Sequence, residues 1–434
     1  MIVTGDWVVP VVGPPIRHGA VLTRGARIDR VGRLPELLAL APDDPVERFD
    51  GCVIIPGLVN AHTHLSLTVL GGLVPPTRMR DFLAQVTKAV LAMSSDDFAA
   101  SASAGALECL ECGVTSVGDI VYGPEPLAAC ADAGVGGVFY WEVLGIDADD
   151  LSGELAEAEF PSEVGACTTG RTRCGVSPHT PYTSGPRLLE AAWRVAQRHG
   201  TGFAIHAAES PAERELMKSG SGPLLEVAHR LARGFVAPKS GSIAYLDRLG
   251  VLAGAVVVHC VHLETGDPTL LKRKAAGVVL CPRSNERLGN GSPPVAELSA
   301  AGVRLALGTD SPASNADFDL FEEARAARRL HPGLTARRTL AMMTVDGART
   351  LGLEGHCGAL QPGSQADLAV IETGQTEDPE RAVVARGGRD TVRAVLGGGI
   401  WRVRGGKPAM PVTAIERAAE RAREVARRAI ERQD

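Results

Sequence analysis

Short apolar runs alternate with longer amphipathic stretches through most of this chain. Eight runs stand out, most of them opened by glycine: "CVIIPGLVNAHTHL", "GVTSVGDIVY", "GVGGVFYWEVLG", "RCGVSPHT", "GFAIHAAES", "AVVVHCVHL", "GVVLCPRSN" and "GVRLALGTDS". The stretches between them, such as "PRLLEAAWRVAQRHG" and "PPVAELSAAG", repeat their apolar residues at helical spacing. Strands separated in this regular way by helices predict an α/β fold with a parallel sheet, and eight such units predict a (β/α)8 TIM barrel. The flanks read differently. Residues 1–52 suggest short strands and turns, as N-terminal part of a small β-sandwich. Residues 53–355 form the predicted barrel. Residues 356–434 return to the sandwich ("GALQPGSQADLAVIE", "RAVLGGGIWRVRGGKP") and end in a charged amphipathic helix.

A barrel carries its active site at the C-terminal ends of its strands, so the polar residues that close each run are the ones to examine. The first run closes on His62 and His64, at the i, i+2 spacing that puts two side chains on one face of a strand. The fourth closes on His179, the fifth on His206 with Glu209 three residues on, the sixth on His259 and His262, and the eighth on Asp310. Taken singly, each histidine reads as a hydrogen-bonded core residue. Gathered by the fold at one end of a barrel, the set reads as the ligands of a metal ion. His18, His199, His229, His331 and His356 lie away from strand ends and read as surface or packing residues.

Composition narrows the partners. With 434 residues and 45% hydrophobic content the chain can bury a large core. A net charge of -6 and a pI near 6.0 leave no basic footprint for nucleic acid. No apolar run reaches the roughly 18 residues of a membrane span, and "MIVTGDWVVPVVGPP" lacks the layout of a signal peptide. Nine cysteines without framework spacing suggest reduced thiols and a cytoplasmic protein. Cys109 and Cys112 in "LECLECG" read as a packed helix end rather than a zinc knuckle. The expected partner is therefore a small molecule, with a homodimer left open.

The motifs "PGLVNAHTHL", "IHAAES", "VHCVHL", "CPRSNERLGNG" and "LGTDSPASN", with "GALQPGSQADLAVI" after them, resemble the amidohydrolase superfamily over nearly the whole chain. The branch most similar is that of nucleobase and nucleoside deaminases, including those of S-adenosylhomocysteine and methylthioadenosine. "VLCPRSN" and "GSIAYLDRLGVL" resemble more closely the deaminases of aminodeoxyfutalosine on the futalosine route to menaquinone. The resemblance implies that His62, His64, His206 and Asp310 hold one divalent ion, zinc or alternatively iron. The fourth run has no Lys, Asp or Glu to bridge a second ion. It implies Glu209 as general acid/base, His259 as a hydrogen-bonding catalytic residue, and Asp310 as ligand and acceptor of the water's proton.

The expected reaction is replacement of the C6 amino group of an adenine nucleoside by oxygen, with ammonia released. Substrate contacts are expected from His179, Glu142, Arg78, Arg80, Arg283 and Asn285, and a supporting role from His262. Alternative readings keep the metal but hydrolyse an amide or remove halide from a triazine, or make the barrel a non-catalytic binding protein.

Overall fold

The computed structural model describes residues 1–144, 170–232 and 235–432. Eight parallel strands follow one another around a barrel: β1 (Leu58–Thr63), β2 (Val114–Val121), β3 (Gly136–Val143), β4 (Thr172–Pro178), β5 (Gly202–Ala207), β6 (Val256–His259), β7 (Gly277–Leu280) and β8 (Leu305–Leu307). Each coincides with one of the eight apolar runs; Gly145, the last residue of the third, lies outside the described residues. The backbone N–H groups of Thr309 and Asp310 donate to the carbonyl of His62, and a Thr63–Asp310 bridge joins the last strand to the first. Closure brings the two ends tightly together. A Cβ on Gly308 would lie 2.7 Å from the Cβ of His62, so only glycine fits there.

Side chains alternate along these strands, as period two demands. Ala204, Val256, Val258, Val279 and Ala306 fill the barrel interior, while Ile205, Ala207, Val257 and Val278 face the surrounding helices. The interior is thus a packed apolar plug, and polar residues appear only where the strands leave it.

Both termini contribute to a second sheet of nine strands. Its strands form one hydrogen-bonded path with an apolar core of Val3, Val21, Ile28, Ile54, Leu368, Val370 and Leu396. Its central strand, Val46–Pro56, pairs in parallel with Ile2–Val8 and antiparallel with Leu368–Glu372. That strand passes the predicted boundary at residue 52, because "CVIIP" completes the terminal sheet and only Gly57 separates it from β1. An unbroken apolar run hides such a change of sheet.

Three helices matter for the site. Helix α1 (Met79–Ala92) follows β1, and α2 (Leu225–Leu231) lies beyond β5. Helix α3 (Thr413–Glu431), the expected terminal amphipathic helix, packs on the barrel. Its buried Ala422 and Ala426 meet Leu67, Leu70, Ala89 and Phe98 in one apolar cluster. Arg423 donates to the carbonyls of Val69 and Gly71 at 2.8 and 2.6 Å, fastening the segment ahead of α1. No described helix is long and apolar enough to cross a membrane.

Candidate active site

The strand ends bring His62, His64, His206, His259 and Asp310 together in a buried cluster. The Nε2 atoms of His62 and His64 each lie 3.6 Å from Asp310 Oδ1, and the Nε2 atoms of His62 and His206 are 3.3 Å apart. His64 stands one residue past the end of β1, so the turn, and not the strand alone, completes the i, i+2 pairing. His259 and Asp310 have φ values of 76° and 62°, in the left-handed region that non-glycine residues avoid. Such strain is held only where surrounding contacts enforce it, and it concentrates at functional positions.

Hydrogen bonds fix the presentation of each group. His206 Nδ1 donates to the His179 carbonyl at 2.7 Å, which leaves its Nε2 bare toward the cluster. The Asp310 carboxylate accepts from Ser284 Oγ at 2.6 Å and Ser314 Oγ at 2.8 Å through Oδ2, while Oδ1 accepts from the Ser311 backbone N–H at 2.9 Å and faces the histidines. Burial pushes the His64 imidazole down to about 3 and the His259 imidazole down to about 4. Burial works to raise the Asp310 carboxyl, but hydrogen bonding to His62 and the neighbouring histidines hold it well below the usual range. Neutral imidazoles beside an ionised carboxylate make a donor set suited to a divalent ion such as zinc. His62, His64 and Asp310 offer ligand atoms within 4.8 Å of one another, as do His62, His206 and His259.

Glu209 sits on the turn after β5. Its backbone N–H and that of Ala208 donate to the carboxylate of Glu213, one turn into the helix Pro211–Ser219. Glu209 Oε1 accepts from Asn290 Nδ2 at 3.1 Å and lies 3.7 Å from His259 Nε2. Burial, with the charges of Asp310 and Glu213, raises the Glu209 carboxyl well above its ordinary range, and the Asn290 bond opposes this. A carboxyl raised in this way holds its proton more readily and is suited to general acid catalysis. His262 reaches the site only through Asn290, donating from Nε2 to its carbonyl at 2.7 Å.

Two connected chambers lead in from solvent. The inner one is narrow, about 60 Å³, and is bounded by His64, His206, Glu209, His259 and Asp310. The outer one, about 860 Å³, lies between α1 and α2, with Leu83, Val86, Val90, Val227 and Leu231 as apolar wall. Tyr122, Glu142 and His179 line both. Arg80, Lys88 and Arg230 line the outer chamber alone.

Three expected substrate contacts need correction. Arg283 pairs with Asp317 through Nη1 at 2.7 Å and stands 3.7 Å from Glu323, in a separate depression; its charge is spent on structure. Asn285 accepts from His259 Nδ1 at 3.1 Å and so orients that imidazole; it lines neither chamber. Arg78 is exposed at the start of α1 and lines neither chamber. Arg80 does line the outer chamber, near Glu226 at 3.8 Å. Tyr122, Asn290, Ser314 and Arg230 were missed. Tyr122 closes the second apolar run, so the strand-end rule could have found it; Arg230, on a helix, carries no sequence signal.

Comparison with known proteins decides the kinship. The model of the amidohydrolase family matches residues 53–401, the barrel and much of the C-terminal sheet. The chain belongs to the amidohydrolase family. As an amidohydrolase, a metal-dependent family, it has its candidate ligands where the barrel strands end. It is 31% identical over 416 residues to a 5-methylthioadenosine/S-adenosylhomocysteine deaminase of Moorella thermoacetica, covering 92% of this chain and 93% of that one. It is 34% identical over 363 residues to an aminodeoxyfutalosine deaminase of Deinococcus radiodurans, covering 81% of this chain and 85% of that one. The crystal structure of an adenosine deaminase from Xanthomonas campestris with bound zinc shares this amidohydrolase's fold, with a TM-score of 0.85 over 98% of both chains at 24% identity.

Proposed function

We propose that this amidohydrolase is a hydrolytic deaminase of an adenine nucleoside altered at its 5′ side, with aminodeoxyfutalosine the first candidate and methylthioadenosine or S-adenosylhomocysteine the alternatives. The observation that carries the reading is the meeting of Glu209 with His259 and Asp310 beside the histidine cluster. The relatives named as deaminases of modified adenosines support the substrate class.

His62, His64, His206 and Asp310 are the residues that would hold one divalent ion, zinc before iron. Such an ion lowers the pKa of an attacking water toward neutrality. Glu209 protonates the purine ring nitrogen next to C6 as the water oxygen bonds to that carbon. The carboxylate then carries one proton from the water to the amino group; the C6 hydroxyl returns the second to Glu209 as the C=O bond forms, the C6–N bond breaks, and ammonia leaves. His259, held at Nδ1–H by Asn285, presents a bare Nε2 that accepts a hydrogen bond from the attacking water. Asp310, steadied by Ser284 and Ser314, takes up the water's proton before it passes to Glu209. Tyr122 and the apolar walls of α1 exclude bulk water from the inner chamber.

The outer chamber supports a large 5′ group: its volume matches that of sites for drug-sized ligands. Its apolar wall suits an aromatic or thioether body, and Arg80 or Arg230 suits a terminal carboxylate through the guanidinium fork. Incubation with aminodeoxyfutalosine should give ammonia and the 6-oxopurine product in equal amounts, from protein carrying about one metal ion per chain by elemental analysis. No ammonia from any adenine nucleoside would overturn the reading.

A further inference from the structure

One carboxylate stands at the step between the two chambers. Glu142 lies near the end of β3 and lines both. The Tyr122 hydroxyl donates to it. Its Oε1 is buried and has no hydrogen-bond partner among the described residues. Leaving a buried acceptor unmade costs free energy, so a position of this kind is one that a ligand completes.

The donor that Glu142 awaits follows from elimination. The adenosine moiety donates hydrogen bonds only from its exocyclic amine and its sugar hydroxyls. The amine belongs beside Glu209, His259 and Asp310, which line the inner chamber and not the outer one. Glu142 marks the next stage outward, ahead of the basic groups Arg80, Lys88 and Arg230. We infer that Glu142 is a specificity-determining residue whose free oxygen accepts a hydrogen bond from a sugar hydroxyl of the nucleoside. This rests on the deaminase reading and adds to it the part of the substrate that must carry a donor.

The test uses the metal-loaded enzyme with adenosine and 2′,3′-dideoxyadenosine, which differ only in the hydroxyls. Wild type should favour adenosine in kcat/KM by about 10- to 150-fold, the range for a hydrogen bond to a charged group. In E142L that preference should fall to within about threefold of unity, because the loss on adenosine exceeds the loss on the dideoxy substrate. E142Q, isosteric but neutral, should fall several-fold short of wild type and decides the question if E142L does not fold. Calorimetric affinities for inosine and 2′,3′-dideoxyinosine should change in parallel, without turnover. An unchanged preference in the variants, or an equal loss on both substrates, would overturn the inference while ammonia release upholds the deaminase. No ammonia from wild type with any adenine nucleoside would instead remove the deaminase reading itself.

Discussion

Asn285 holds His259 by Nδ1, so that Nε2 faces Glu209, while Asn290 holds Glu209 by Oε1. The two partners act at one remove, through the groups they orient. Glu209→Gln keeps the shape and the Asn290 contact but cannot carry protons; kcat should drop by about 10²- to 10⁴-fold with metal content unchanged by elemental analysis. Near-normal turnover in that variant would assign the proton transfers to another group. Asn285→Ala should lower kcat more than it alters KM, because the imidazole loses its fixed tautomer while the chambers keep their shape. Arg230→Ala and Arg80→Ala should reduce kcat/KM for aminodeoxyfutalosine and leave methylthioadenosine, which has no carboxylate, within about threefold of wild type. These side chains differ in how plainly the sequence displays them. His62, His206 and Asp310 close apolar runs and are legible because a barrel gathers strand ends. Arg283 also closes a run, yet it turns outward to Asp317, since a strand-end rule gives position but not direction.

At the scale of elements, α1 and α3 act together. Helix α1 supplies one wall of the outer chamber, and α3 braces it through Ala422, Ala426 and the two carbonyl bonds of Arg423. Arg423→Ala should therefore raise KM for a substrate with a large 5′ group while leaving kcat within about twofold, as steady-state kinetics would register. The amphipathic pattern of α3 identifies it as a helix, but amphipathicity does not say which surface its apolar stripe covers. The same limit applies to the terminal sheet. Period-two texture at both ends foretells strands; the pairing of Val46–Pro56 with partners from each terminus depends on long-range contacts such as Ile2 with Val46 and Leu368 with Pro56.

The whole molecule is a barrel whose closure and chemistry share residues. His62 accepts the backbone hydrogen bonds that join β8 to β1, and its imidazole is a candidate ligand in the same cluster as Asp310, a donor of one of those bonds. Removing the ion by chelation should therefore lower thermal stability as well as abolish turnover; an ion at a thousandfold its Kd contributes about 4 kcal/mol by mass action. Readdition of zinc should restore both, as differential scanning fluorimetry and ammonia release would record. The barrel was legible because eight strand–helix units repeat the same signal; the chambers were not, because they form where α1, α2 and several strand ends meet. The most direct test of the account compares ammonia release from aminodeoxyfutalosine, S-adenosylhomocysteine, methylthioadenosine and adenosine, side by side, with the zinc-loaded protein. The account predicts deamination at C6 with the highest kcat/KM for aminodeoxyfutalosine; a preference for methylthioadenosine would contradict the substrate assignment, and no ammonia from any of the four would contradict the function.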